Sequence, residues 1–175
     1  PYTVIGLLAG LIAVLFINSL YKTQEIFNKL SIPNYLKPAV GGFIVGIIAL
    51  FFPQVLGVGY ESINDALWGR DISWLLLALI FIKIIGTSAT LGSGGSGGVF
   101  APSLFIGAML GALIGTQAEI IFPGKVAEVG AYALVGMGAV VSATTHAPIT
   151  AILIIFELTN DYRICLLYTS PSPRD

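Results

Sequence analysis

Residues Leu91 to Pro102 read Leu-Gly-Ser-Gly-Gly-Ser-Gly-Gly-Val-Phe-Ala-Pro and lie between two strongly apolar segments. No side chain in this run is charged, so its chemistry is that of bare backbone. Lipid tolerates irregular backbone only where protein or a water-filled cavity covers it. A helix that begins at membrane depth presents free N–H groups and the positive end of its dipole, a combination that attracts anions. With Ser96 to Gly98 at a helix N-terminus, the amides of Val99, Phe100 and Ala101 are left to point at an ion. Pro102 falls in the first turn, where its missing N–H costs no intrahelical bond. Gly97 and Gly98 are expected to let the backbone bend and approach closely. Partial charges of about +0.5 hold a halide without trapping it, and conduction needs release as well as binding. The run therefore predicts an anion pathway.

Other chemistries match the same letters. Gly92-Ser93-Gly94-Gly95-Ser96-Gly97 satisfies G-x-G-x-x-G, and Glu119 lies at a suitable distance for a ribose ligand. That fingerprint requires a preceding strand and a βαβ unit, whereas Ile72 to Ile85 and Val99 to Gly115 read as long apolar helices. A phosphate-binding loop is weaker still, because no Gly-Lys-Ser/Thr follows the glycines. Gly94-Gly95-Ser96-Gly97 matches the G-x-S-G of intramembrane serine proteases, and the chain's one histidine, His146, could complete a dyad with Ser96. Such a dyad needs hydrogen-bond contact between the two; this is the alternative to transport. A passive Gly/Ser turn would be the favourite in a soluble protein, but unpartnered amides in lipid cost several kcal/mol.

Elsewhere the structural reading outweighs the functional one. Glu157 stands in an apolar helix, where a carboxylate is a functional hypothesis by default. It lies near the helix end beside Thr159, Asn160 and Arg163, and a hydrogen-bonding or interfacial role is favoured. Lys83, in a long apolar helix, is expected to snorkel to the interface in preference to drawing anions into a vestibule. His146 sits in a Thr-Thr-His-Ala-Pro turn, where capping chemistry outweighs metal binding for want of a second His or Cys ligand. No metal or other cofactor is expected, nor an enzymatic activity. Trp68 and Trp74 flank Gly69-Arg70-Asp71 as an interfacial aromatic belt.

The elements that position these groups follow from composition and punctuation. The chain is 56% hydrophobic and only 10% charged, with a mean hydropathy of +0.93; a soluble domain carries about 25% charged residues. A net charge of -1 gives no basic footprint for nucleic acid. Twenty-one glycines suit close helix packing and broken helices in lipid. The class is an all-α polytopic membrane protein. A first helix is expected from Thr3 to Leu20, continuing as a polar tail through Phe27. Lys22, Lys29 and Lys37 then mark a cytoplasmic loop by the positive-inside rule. A second helix runs from Ala39 to Phe52, with Gly41, Gly42 and Gly46 set for close backbone contact. After Pro53 and the Gly57-Val58-Gly59-Tyr60 turn, Glu61 to Trp68 forms a short amphipathic helix. Asp71 or Ser73 caps a third long helix through Leu91, and Val99 to Gly115 is the fourth. Val129 to Val141 and Pro148 to Leu158 are too short for a perpendicular span, a pattern that points to binding sites built from broken helices.

The ends change character. Pro1 replaces an initiator Met, and the apolar run from Val4 to Ile17 has neither a basic n-region nor a cleavage site, so the start reads as internal and the chain as a fragment. From Cys165 the text Cys-Leu-Leu-Tyr-Thr-Ser-Pro-Ser-Pro-Arg-Asp has no helical period and looks like the translation of a sequencing-library adapter. Residues 1–164 are then the membrane domain and 165–175 a non-native tail. With Cys165 the only cysteine, no internal disulfide arises.

Gly98-Val99-Phe100-Ala101-Pro102 resembles the G-x-F-x-P anion-site motif of the ClC chloride channel and transporter family. Gly92 to Gly97 and Ser103-Leu104-Phe105-Ile106-Gly107 look like the same region of bacterial members. Val135-Gly136-Met137-Gly138-Ala139, His146-Ala147-Pro148 and Phe156-Glu157-Leu158-Thr159 add further ordered blocks, as do Gly41-Gly42, Pro53 and Gly57 to Tyr60. The likeness spans Tyr2 to Ile164. It implies a membrane fold of two inverted halves with broken and short tilted helices, of which this chain is most of the second half. It further implies a multi-pass protein of a bacterial inner or plasma membrane, a homodimer with one pore per subunit, and chloride as the ion, with protons coupled in the exchanger branch. Backbone N–H groups of Val99 and Phe100 would coordinate the central chloride, and the helix from Pro148 would lie near the dimer interface. The family's G-S-G-x-P serine, its gating and proton-relay glutamates and its pore tyrosine have no counterparts here; Tyr168, in the suspect tail, is no substitute. The fragment thus supplies part of one anion site, and channel and chloride/proton exchanger both stay open.

Overall fold

The computed structural model describes residues 2–68, 73–123 and 126–159. Gly69 to Asp71, with the capping alternative at Asp71, lie outside them, as do Asn160, Arg163, Cys165 and the whole 165–175 tail. Among the described residues every regular element is a helix, with no strand. That removes the βαβ context a dinucleotide fingerprint needs.

Helix α1 (Tyr2–Lys29) runs 28 residues, about 42 Å at 1.5 Å per residue. It fuses the apolar stretch with its polar tail, which ends on a Glu25–Lys29 ion pair of 2.6 Å. Pro33 lies between it and α2 (Lys37–Phe51), where Pro38 occupies the first turn. A 3-10 turn at Pro53–Val55 follows. The amphipathic α3 (Tyr60–Leu67) buries Ser62, Ile63 and Ala66. Helices α4 (Ser73–Gly92) and α5 (Phe100–Ile121) flank the glycine break, with α6 (Val129–Thr145) and α7 (Pro148–Thr159) after it. Helices α1, α4 and α5 are long and apolar enough to cross a membrane. At 17 and 12 residues, α6 and α7 reach about 26 and 18 Å, short of the ~30 Å hydrocarbon core.

The core is the α5–α6 contact, on which α1, α3 and α4 pack. Small residues make it possible. A methyl group at Gly107 would stand 2.5 Å from the Gly136 carbonyl oxygen, and one at Gly111 would overlap the Tyr132 carbonyl and stand 2.6 Å from Ala133 Cα. Backbone lies on backbone here, the packing that Gly-x-x-x-Gly spacing permits in membranes. Tyr132 is buried, and its ring stacks on Tyr2 of α1 with centroids 5.1 Å apart.

Two expectations are corrected. Helix α5 does not stop at Gly115 but continues to Ile121. Gly115 is a packing residue, since a methyl there would press on Tyr132 Cβ at 3.0 Å. In α2 only Gly41 is tightly packed, since a methyl there would overlap Ser93 and stand 2.7 Å from the Ala89 carbonyl oxygen of α4; Gly42 and Gly46 face open space. At 3.6 residues per turn, adjacent and five-apart positions point away from one another.

Candidate anion site

The glycine run divides into two structures. The first closes α4. Gly94, at φ +87°, donates its N–H to the Leu91 carbonyl at 3.0 Å, and Gly95 donates to the Thr90 carbonyl at 2.9 Å. This 5→2 and 6→1 pair is a Schellman motif with Gly94 in the left-handed position. Ser93 Oγ adds a second bond to the Thr90 carbonyl at 2.9 Å. The left-handed turn falls at Gly94, and Gly97 and Gly98 have no left-handed φ.

The second structure opens α5. Ser96, Gly97 and Gly98 form an exposed connection to Val99, which caps the helix at φ -85° and ψ -21° without a side-chain cap bond. The first intrahelical bond is donated by Ser103 N–H to the Val99 carbonyl at 3.1 Å. Pro102 has no N–H to place. Among the described residues, no partner accepts from the amides of Val99, Phe100 or Ala101. A Ser, Thr, Asp or Asn at the cap would have satisfied one of them; valine leaves them available. Gly98, Val99, Phe100, Ala101 and Pro102 thus stand together at one helix end, with three N–H groups at the positive end of a 22-residue dipole.

The remaining candidates take other places. Ser96 and His146 are both exposed, and no hydrogen bond joins them among the described residues. His146 closes α6 in the left-handed conformation at φ 54°, ahead of Pro148, which is the capping role read from its turn. Glu157 is exposed near the end of α7. Trp68 and Trp74 are both strongly exposed.

Lys83 departs from expectation. It does not snorkel: only 3% of it is exposed. Its ammonium donates to the carbonyls of Val55 and Gly57, each at 2.8 Å, and lies 4.7 Å from the centroid of the Phe105 ring. The 3-10 turn after α2 and the turn that follows it supply carbonyls that no helix uses, and a buried cation binds where such acceptors converge.

Sequence reasoning passed over a buried hydroxyl pair. Ser103, fully buried in the first turn of α5, donates from Oγ to the Val99 carbonyl at 2.8 Å. Thr144 Oγ1 of α6 lies 3.1 Å from Ser103 Oγ. Two hydroxyls in apolar helices were the only available signal.

A family model described as "Voltage gated chloride channel" matches residues 1–169. The chain is 41% identical over 166 residues to the "Putative chloride channel protein ClcB-like" of Ralstonia nicotianae, covering 94% of this chain and 38% of that protein. To the "Chloride channel protein CLC-f" of Arabidopsis thaliana it is 41% identical over 180 residues, covering 94% of this chain and 23% of that one. It is also 33% identical to the "H(+)/Cl(-) exchange transporter ClcA" of Salmonella arizonae, over 94% of this chain and 36% of the relative. The crystal structure of a slow cyanobacterial Cl-/H+ antiporter superposes with a TM-score of 0.83 at 30% identity, over 94% of this chain and 39% of that one. The chain spans less than two fifths of the length of each of these relatives. With matching sequence blocks, an all-helical architecture and a family model that takes in nearly every residue, the chain belongs to the voltage-gated chloride channel (ClC) family.

Proposed function

We propose that this segment is part of the second half of a chloride transport protein and supplies one wall of its central anion site. The observation that carries the reading is the start of α5, where Val99, Phe100 and Ala101 keep unpartnered amides after the Schellman turn has consumed those of Gly94 and Gly95. Neutral donors at a helix end suit a permeant ion, because they bind weakly enough to release it. Similarity to channel-named and exchanger-named relatives alike supports chloride as the ion, with protons as the coupled ion in an exchanger. The exposed apolar side chains of α1 (Leu7, Leu11, Val14), α2 (Leu50, Phe51) and α7 (Ile149, Leu153) support burial in a bilayer or against a second copy in a homodimer. Three apolar helices long enough to cross a membrane support a multi-pass setting, and the relatives from Ralstonia and Salmonella favour a bacterial inner membrane as that setting. In this reading residues 1–164 belong to the membrane domain and residues 165–175 are a non-native tail.

The test is direct. The complete protein carrying this segment is reconstituted in liposomes, and chloride efflux is followed with and without a proton gradient. An amide-to-ester replacement at Phe100 deletes one N–H and keeps the side chain. A hydrogen bond to an ion contributes about 1.5–3 kcal/mol, so chloride affinity should fall roughly ten- to a hundredfold. Efflux and chloride affinity unchanged by the ester would overturn the reading.

A further inference from the structure

We propose that Ser103 and Thr144 are positioning residues for the anion site: a hydroxyl relay through which α6 sets the direction of the Phe100 amide. The inference rests on the reading of that amide as a chloride ligand and extends it to two side chains that touch no ion.

The geometry begins with one peptide unit. The Val99 carbonyl and the Phe100 N–H belong to the same planar trans peptide and point in opposite directions. Whatever holds the carbonyl aims the N–H. Two donors hold it, both from Ser103: the backbone N–H at 3.1 Å and the side-chain Oγ at 2.8 Å. Together they can fill both lone pairs of that oxygen. The Ser103 proton is then committed, and its oxygen is left to accept. Thr144 Oγ1, 41 residues away on α6, lies 3.1 Å from it. The same threonine hydroxyl reaches the Val140 carbonyl at 2.9 Å and the Val141 carbonyl at 3.1 Å, so one proton has three acceptors within reach on two helices.

Back-bonding to a carbonyl four residues earlier is ordinary for a helical hydroxyl, and Thr90, Thr116 and Thr145 all do it here. Ser103 differs in two respects. Its acceptor is the N-cap carbonyl, whose peptide carries a candidate ligand, and its oxygen meets a hydroxyl from another helix. Ser103 is also fully buried, one helical turn from the close contact of Gly107 with Gly136, so the relay lies beside a place where α5 and α6 meet backbone to backbone. A rigid amide loses less freedom when it binds an ion, and that preorganisation converts into affinity.

The complete protein is purified as wild type, Ser103→Ala, Ser103→Thr, Thr144→Val and Thr144→Ser, with Thr116→Val as a back-bonding control away from the site. Chloride dissociation constants are measured by calorimetry and thermal midpoints in parallel. Ser103→Ala and Thr144→Val should each weaken chloride binding about three- to tenfold, the weight of one net hydrogen bond. Ser103→Thr and Thr144→Ser should restore wild-type affinity. Thr116→Val should leave it unchanged whatever its effect on the thermal midpoint. The relay is refuted if folded Ser103→Ala and Thr144→Val bind chloride within about twofold of wild type, or if Thr116→Val loses as much affinity as they do. Should Ser103→Ala fail to fold, Thr144→Val decides alone, and wild-type affinity there refutes the relay. A wild-type protein that binds no chloride would instead strike at the amide site itself.

Discussion

Lys83 and Phe105 meet as cation and ring across α4 and α5, the ammonium 4.7 Å from the ring centroid and donating to the carbonyls of Val55 and Gly57. One side chain thereby ties α4, the turn after α2 and α5 together. Lys83→Met keeps the length and removes the donors, leaving two inward-facing carbonyls short of a partner. Each costs about 1–3 kcal/mol, and a desolvated cation–π contact adds up to ~2. The complete protein should lose thermal stability in detergent markedly. Lys83→Arg, with a wider planar head, should recover only part of it. A thermal midpoint for Lys83→Met equal to wild type would show that water replaces the ammonium at those carbonyls.

Gly59 lies against the same ring. Its φ of +76° is left-handed, and a methyl there would stand 2.5 Å from Phe105 Cε2. Gly59→Ala therefore meets a backbone cost of about 1–2 kcal/mol together with a steric one. Phe105→Leu should relieve the steric part, so the double variant should be less destabilised than the two single losses added. Strict additivity of the thermal or denaturant shifts would mean that the ring does not set the glycine requirement.

The α5–α6 contact makes the sharpest demand. Gly111→Ala puts a methyl into the Tyr132 carbonyl and the Ala133 Cα, and Gly107→Ala does the same at Gly136 and Met137. Backbone cannot step aside as a side-chain tip can, so α5 must move off α6. The expected cost is about 1–3 kcal/mol or more for each. Gly42→Ala and Gly46→Ala, whose methyls meet nothing, should stay within about 0.5 kcal/mol or gain slightly in helix propensity. Equal losses at all four positions, read as folded yield and thermal midpoint, would contradict this ordering.

That ordering marks how far the sequence could be read. Hydropathy, Pro33, Pro38, Pro53 and Pro148, and the glycine runs placed the start of every helix within a few residues, because those signals are local, but they left α5 ending at Gly115 and not at Ile121. The start of α5 was also legible, since the glycines end at Gly98 and Pro102 marks the first turn. What escaped depends on contacts between distant segments. Gly41 could not be told from Gly42 without knowing where α4 lies. Lys83 read as a snorkelling cation because the carbonyls of Val55 and Gly57, 28 and 26 residues earlier, cannot be seen to converge on it. The Ser103–Thr144 pair spans 41 residues and has no periodic signature. The turn glycine was not legible for another reason: in Gly-Ser-Gly-Gly-Ser-Gly-Gly several positions can take a left-handed conformation, and only the hydrogen bonds of Gly94 and Gly95 select one.

Gly94 and Gly98 should therefore separate folding from binding. Gly94 holds the left-handed position of the Schellman motif at φ +87°, so Gly94→Ala strains the closure of α4 by about 1–2 kcal/mol. Its main effect should be on stability. Gly98 has no left-handed φ, and a methyl there meets nothing in this chain. It does precede Val99, whose amide is a candidate ligand, so Gly98→Ala places bulk beside the path by which an ion would approach. Its effect should fall on chloride affinity and flux, with the thermal midpoint close to wild type. Calorimetric titration with chloride and a thermal scan on the same two preparations would check both. If Gly98→Ala unfolds the protein while Gly94→Ala leaves it stable, the assignment of the turn is reversed. If Gly98→Ala changes neither stability nor chloride binding, the ion does not approach along that face of the helix start.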